Sequence, residues 1–165
     1  MIEKTTEVFL SYIYDEEDMA AAVQTFLKEN FDGLKVFMSG DKWQVYAGED
    51  WFARIRQELI SAGIVILMLS QKSVVRPWVN FEAGAAWFGN KHIIPVCFGD
   101  ISKENLPAQF SPKMALHLPE DDYYLLTSVA HHLGNTFAPV PGSDELQRSS
   151  IRLRTTISRL MGVNA

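Results

Sequence analysis

Ile64-Val65-Ile66-Leu67-Met68-Leu69 is an unbroken apolar run, closed off by Gly63 before it and Ser70 after it. A strand with one wet face alternates polar and apolar side chains, so a run without alternation marks a strand covered on both faces, as at the centre of a parallel sheet. Such a strand needs helices above and below. Upstream, Trp51, Phe52, Ile55, Leu59 and Ile60 recur at helical spacing behind a cap at Asp50 and stop near Gly63. Downstream, Pro77 suits the first position of a second helix, where its missing N–H costs nothing. In that helix Phe81, Ala85 and Phe88 form the expected core-facing stripe.

Farther out the alternation of strand and helix continues. Val8-Phe9-Leu10-Ser11-Tyr12 reads as a first buried strand. Asp15 then caps a helix with Asp18 in its first turn, carrying Met19, Val23, Phe26, Leu27 and Phe31 at helical spacing and ending at Gly33. Leu34 to Ser39 reads as a second strand near a sheet edge. Gly40 to Asp50, with Trp43 and Tyr46, shows no helical period and is a long loop of the kind that forms lids or contact surfaces. His92 to Phe98 is a fourth strand whose Pro95 implies an edge position, a bulge or a local break. Beyond Gly99 the pattern weakens to a short helix within Ile101 to Phe110, a fifth strand over Met114 to Leu118 and a helix over Asp121 to Phe137.

These spacings predict an α/β fold: a flavodoxin-like, doubly wound, five-stranded parallel sheet of order 2-1-3-4-5 with helices on both faces. Residues 1–137 form the domain, and 138–145, containing Ala138-Pro139-Val140-Pro141-Gly142-Ser143, read as a linker. Residues 146–165 read as a C-terminal amphipathic helix, with Leu146, Leu153, Ile157 and Leu160 on one face and Arg148, Arg152 and Arg159 roughly opposite. That helix either packs back on the domain or binds a partner.

The totals narrow the function. A chain of 165 residues with 47% hydrophobic and 21% charged residues has the composition of an ordinary globular domain. A net charge of -5 argues against nucleic acid as a partner. No apolar run approaches the roughly 18 residues that span a bilayer, so no membrane partner is expected. The lone Cys97 lies in an apolar run and reads as a small buried hydrophobe rather than a nucleophile. With no signal-peptide pattern at the N-terminus, a reducing, cytoplasmic setting is the expectation. The histidines show no metal-ligand spacing.

In doubly wound sheets ligands bind outside the carboxyl ends of the strands, where strand order reverses, here between the first and third strands. Ser11, Tyr12 and Ser70 would lie there, and Ser39 closes the neighbouring second strand. Trp78 and Glu82, at i and i+4, share one face of the helix that follows the third strand. A carboxylate beside an apolar stripe, followed by Ala83-Gly84-Ala85-Ala86, suggests a charge set into a cleft.

Phe9-Leu10-Ser11-Tyr12, the loop ending Gly48-Glu49-Asp50-Trp51, and Trp78-Val79-Asn80-Phe81-Glu82-Ala83-Gly84 resemble a Toll/interleukin-1 receptor (TIR) domain of bacterial type, over roughly residues 5 to 137. The resemblance implies an enzyme that cleaves NAD⁺ at its nicotinamide ribosyl bond, releasing nicotinamide and ADP-ribose or a cyclic ADP-ribose product. NAD⁺ is then a substrate, and no cofactor is implied. Glu82 occupies the position of the family's essential glutamate. Self-association through TIR–TIR contacts completes and activates such sites, and a sensor domain or partner protein and a role in antiphage defence or in manipulating host signalling are further implications. The chemistry suits a single carboxylate, because departing nicotinamide is neutral and needs no acid, while the ribosyl cation needs a fixed negative charge. Tyr12, Trp43, Tyr46, Trp51 and Trp78 are candidates to stack on the nicotinamide or adenine ring. Ser11 is a candidate hydrogen-bond partner of the ribose or phosphates, and Ser39 and Ser70 join it as substrate-binding candidates.

Two rivals remain on this reading, and a third is set aside. A non-catalytic TIR adaptor would use the same surfaces without turnover. A nucleoside deoxyribosyltransferase shares the fold and a glutamate at a ribosyl bond but fits the Gly48 to Trp51 loop less well. A phosphoacceptor receiver domain needs an aspartate where Ser70 ends the third strand, which argues against it.

Overall fold

The structure is a computed structural model and describes residues 7–40, 50–110, 113–134 and 142–162. It contains a five-stranded parallel sheet, β1 (Val8–Ser11), β2 (Val36–Ser39), β3 (Ile64–Leu69), β4 (His92–Cys97) and β5 (Leu116–His117), in the order β2-β1-β3-β4-β5. Among the described residues five α-helices surround it: α1 (Glu17–Asn30), α2 (Trp51–Ser61), α3 (Pro77–Phe88), α4 (Asp122–His132) and α5 (Asp144–Leu160). This is the flavodoxin-like arrangement that the sequence predicts, and β3 is buried along its whole length at the sheet's centre.

The two-residue period of the strands divides the core in two. Val8 and Leu10 of β1 and Ile64, Ile66 and Met68 of β3 pack with α1, α4 and α5. Phe9, Val65, Leu67 and Leu69 pack on the other face with α2 and α3. Leu146, Leu153 and Ile157 of α5 enter the first of these cores, so the C-terminal helix packs back on the sheet's α1 face. Arg152 of α5 also pairs with Glu29 of α1 at 2.9 Å.

Pro95 is tolerated without a bulge. The N–H groups of His92 and Phe98 donate to the carbonyls of Gly63 and Leu69 at 3.1 and 3.0 Å, so residues of that parity face β3. Pro95, of opposite parity, turns its missing N–H toward β5, whose pairing starts only at Val96.

Several local expectations are corrected. Asp15 lies inside a short 3-10 turn, Tyr14–Glu16, and the residue at the N-cap of α1 is Glu16, whose side chain makes no cap bond. The span Ile101 to Phe110 holds only the 3-10 turn Lys103–Asn105. β5 is shorter than Met114 to Leu118, and α4 ends at His132 rather than running to Phe137. On α3 the proposed stripe faces outward: Phe81 is 49% and Phe88 97% exposed, while Val79, Glu82, Ala83 and Ala86 are buried. Small residues let the helix backbone lie close on the sheet, which leaves the bulky aromatics outside.

No helix among the described residues is long and apolar enough to cross a membrane.

Candidate functional site

Ser11 is the last residue of β1 and Ser39 the last of β2, and the two stand opposite each other in the parallel register. The ladder runs one step farther, with the Tyr12 N–H donating to the Ser39 carbonyl at 3.1 Å. Both serines share parity with Phe9 and Phe37, so their hydroxyls point to the α2–α3 face. Glu82 comes to them from α3.

The opening of α3 is tied down locally. Pro77 takes the first turn, and the Asn80 amide donates to the carbonyls of Val74 and Arg76 at 3.0 and 2.9 Å. Gln109 in turn donates to Asn80 Oδ1 at 2.8 Å. Asn80 thus clamps the start of α3, and its sequence signal is an amide one turn inside a proline-led helix start. With that end fixed, Val79, Ala83 and Ala86 seat α3 on the sheet and Glu82 projects toward the ends of β1 and β2.

Glu82 is fully buried. The Ser11 hydroxyl donates to its Oε2 and the Ser39 hydroxyl to its Oε1. Burying a carboxylate costs several kcal/mol unless hydrogen bonds replace water, and two hydroxyl donors, one per oxygen, provide that replacement. The site therefore sets an acidic side chain at the carboxyl ends of the strands, beside the point where strand order reverses.

Trp78, one turn before Glu82, is half-buried in an aromatic cluster. Its ring lies 4.8 Å from Trp51 and 5.5 Å from Phe81, stacked on the latter, with Phe52 edge-on at 6.5 Å. Its indole Nε1 is buried without a hydrogen-bond partner among the described residues. Trp51 begins α2 directly after Asp50, whose carboxylate accepts from the Ala53 N–H at 2.9 Å as expected of a cap. The cluster braces the starts of α2 and α3 against each other.

Other candidates are placed elsewhere. Tyr12 is buried in the core on the opposite face of the sheet, its ring against Gly40 closely enough that a Cβ there would sit 3.0 Å from the phenol oxygen. One residue of strand period separates it from Ser11 and from Glu82. Ser70 donates to Glu16 Oε1 at 2.5 Å and accepts from the N–H groups of Lys72 and Ser73, both at 3.1 Å, closing the turn after β3. It lines a separate cleft of about 690 Å³ with Asp15, Glu16, Asp100, His117 and Glu120. Trp43 and Tyr46 lie outside the described residues. Thus the structure brings together Ser11, Ser39 and Glu82, places Trp78 and Trp51 beside α3's opening, and sets Tyr12 and Ser70 apart.

Cys97 is fully buried, and burial pushes its thiol up to about 11, with Lys103 pulling the other way and Glu104 adding to the rise. A thiol of that kind stays protonated and unreactive.

A family model described as a TIR domain matches residues 8–125. No curated protein matches the sequence. Among solved structures, the TIR domains of the activated Roq1 resistosome directly recognizing the pathogen effector XopQ align with 98% of this chain and 86% of that chain, at 12% identity and a TM-score of 0.45.

Proposed function

Since the chain belongs to the TIR-domain family, matched over residues 8–125, we propose that it is an NAD⁺ nucleosidase in which Glu82 is the catalytic carboxylate and self-association raises activity. The observation that carries this reading is the placement of Glu82. A carboxylate that accepts hydroxyl donors from two strand ends lies where doubly wound sheets bind their ligands.

In the reaction the bond between ribose C1′ and the nicotinamide nitrogen breaks heterolytically, and its electron pair leaves with nicotinamide, which becomes neutral. Positive charge is left on the ribosyl centre. Glu82 stabilises that charge through a fixed, poorly hydrated environment, where an ionic interaction is stronger than in water. Water then adds at C1′ and loses a proton to give ADP-ribose; capture by an adenine nitrogen gives a cyclic product instead. Because Glu82 is sealed from solvent in this conformation, substrate reaches it only after the side chains around it rearrange. A rearrangement driven by contact between copies accounts for activation by assembly.

The same burial favours the second reading, an adaptor in which Glu82 serves only to join α3 to the strand ends. The two separate in one experiment. NAD⁺ is incubated with the protein over a wide concentration range, beside Glu82→Ala, and nicotinamide and ADP-ribose products are resolved by chromatography. Release that climbs more steeply than protein concentration and vanishes in the variant supports the nucleosidase. Silence in the densely assembled protein supports the adaptor, and release that survives the substitution removes Glu82 from the catalytic role.

A further inference from the structure

We propose that Ser11 and Ser39 are positioning residues that fix the plane of the Glu82 carboxylate, an inference that rests on the nucleosidase reading of that site. The torsion that turns a glutamate's carboxylate about its last bond is broad and roughly two-fold, so a well-placed helix does not by itself orient the two oxygens. Here each oxygen is taken by a different strand: Oε2 by Ser11 at the end of β1, Oε1 by Ser39 at the end of β2. Two anchors on two oxygens stop that rotation.

The anchors are themselves rigid. Ser11 and Ser39 are direct partners in the parallel register, both fully or almost fully buried, and the backbone bond from Tyr12 to Ser39 closes the ladder just past them. The serine pair takes one acceptor position on each oxygen, so the sheet sets the plane of the carboxylate. Hydroxyls also suit the chemistry because they are neutral. A lysine or arginine in their place would orient the group but cancel the negative charge that the ribosyl cation needs.

Ser70 provides the contrast within the same sheet. It too follows a strand end, yet its hydroxyl is taken up by Glu16 and by the turn it closes. A serine at a strand end is therefore not enough. What selects Ser11 and Ser39 is shared parity, adjacent strands and the reach of Glu82 between them.

The test is steady-state nicotinamide release from NAD⁺ by the assembled full chain, comparing wild type with Ser11→Ala, Ser39→Ala, Ser11→Thr and Ser39→Thr, each shown to be folded by its thermal melt. The expected result is a kcat lowered about tenfold or more in each alanine variant, with KM for NAD⁺ changed by less than about twofold, because orientation is lost and binding is not. At least one threonine variant, which keeps a hydroxyl on a strand-compatible side chain, recovers most of the rate. A raised KM with unchanged kcat would instead make the serines substrate contacts and overturn the proposal. So would wild-type kinetics in both alanine variants, or alanine and threonine variants that fail alike while folded. A wild type silent even when assembled removes the nucleosidase reading and this one with it, and is told apart by the silence of every variant.

Discussion

The indole of Trp78, in the first turn of α3, lies 4.8 Å from that of Trp51, the first residue of α2. The contact fixes how α3 starts, and Glu82 follows one turn later on the same helix. Trp78→Ala is expected to cost about 2–3 kcal/mol, below the range for a fully buried tryptophan because this one is half-buried. It should also lower kcat by loosening the approach of Glu82. Trp78→Phe keeps a ring in the cluster and should retain most of both. Urea unfolding midpoints and nicotinamide release measure the two effects; equal stability of the alanine and wild-type proteins would show that the cluster does not brace α3.

The buried face of α3 is open to a direct comparison. Val79 is fully buried against the sheet, and Val79→Ala should cost about 2 kcal/mol. Phe88 is 97% exposed, and Phe88→Ala should change stability by less than about 0.5 kcal/mol in the monomer. A larger loss at Phe88 than at Val79 would reverse this assignment of the helix face.

That helix also shows how far the sequence carries. β3 was legible because an apolar run without alternation has one common explanation, and Asp50 was legible because a cap is a local interaction. The stripe Phe81, Ala85, Phe88 was misread because α3 is apolar nearly all round, and periodicity cannot choose between two adjacent apolar faces when the smaller residues pack closer. Glu82 was legible as a strand-end carboxylate. Its bonds to Ser11 and Ser39 were not, because they depend on the register between β1 and β2, which involves residues far apart in sequence. Tyr12 was placed with Ser11 by proximity in the chain, although the strand's two-residue period sends neighbours to opposite faces.

Asp122 is buried at the start of α4 and is held by a two-point contact from Arg154 of α5, with Nε and Nη2 at 2.8 and 2.9 Å from its two oxygens. Arg154→Ala leaves that carboxylate buried with its fork partner gone and should cost about 2 kcal/mol. Arg154→Lys keeps the charge but not the planar fork, so it should recover only part of the loss. Denaturant midpoints decide it: a change below about 0.5 kcal/mol for the alanine variant would mean that the Asp122–Arg154 pair adds little to what Leu146, Leu153 and Ile157 already hold.

The ring of His132 at the end of α4 lies 4.2 Å from that of His92 and nearly parallel to it, and the His131 ring meets it edge-on at 5.1 Å. Burial, then His92, His131 and Lys113, hold the His132 imidazole below the usual histidine range. The unfolded chain, with an ordinary histidine, therefore binds more protons as pH falls below about 6.5, and stability drops with pH until the folded-state value is passed. The carboxylates act in a lower window. Glu120 is shifted down chiefly by its bond to His117, and in Asp121 burial is outweighed by Lys103 and the His117 N–H, so their contributions are lost only below about pH 5. The melting temperature should thus fall between about pH 7.5 and pH 5. His132→Gln should fall less over the same interval, because it has no proton to take up on unfolding. Identical losses in the two proteins would show that the stacked histidines do not set the acid limit of this fold.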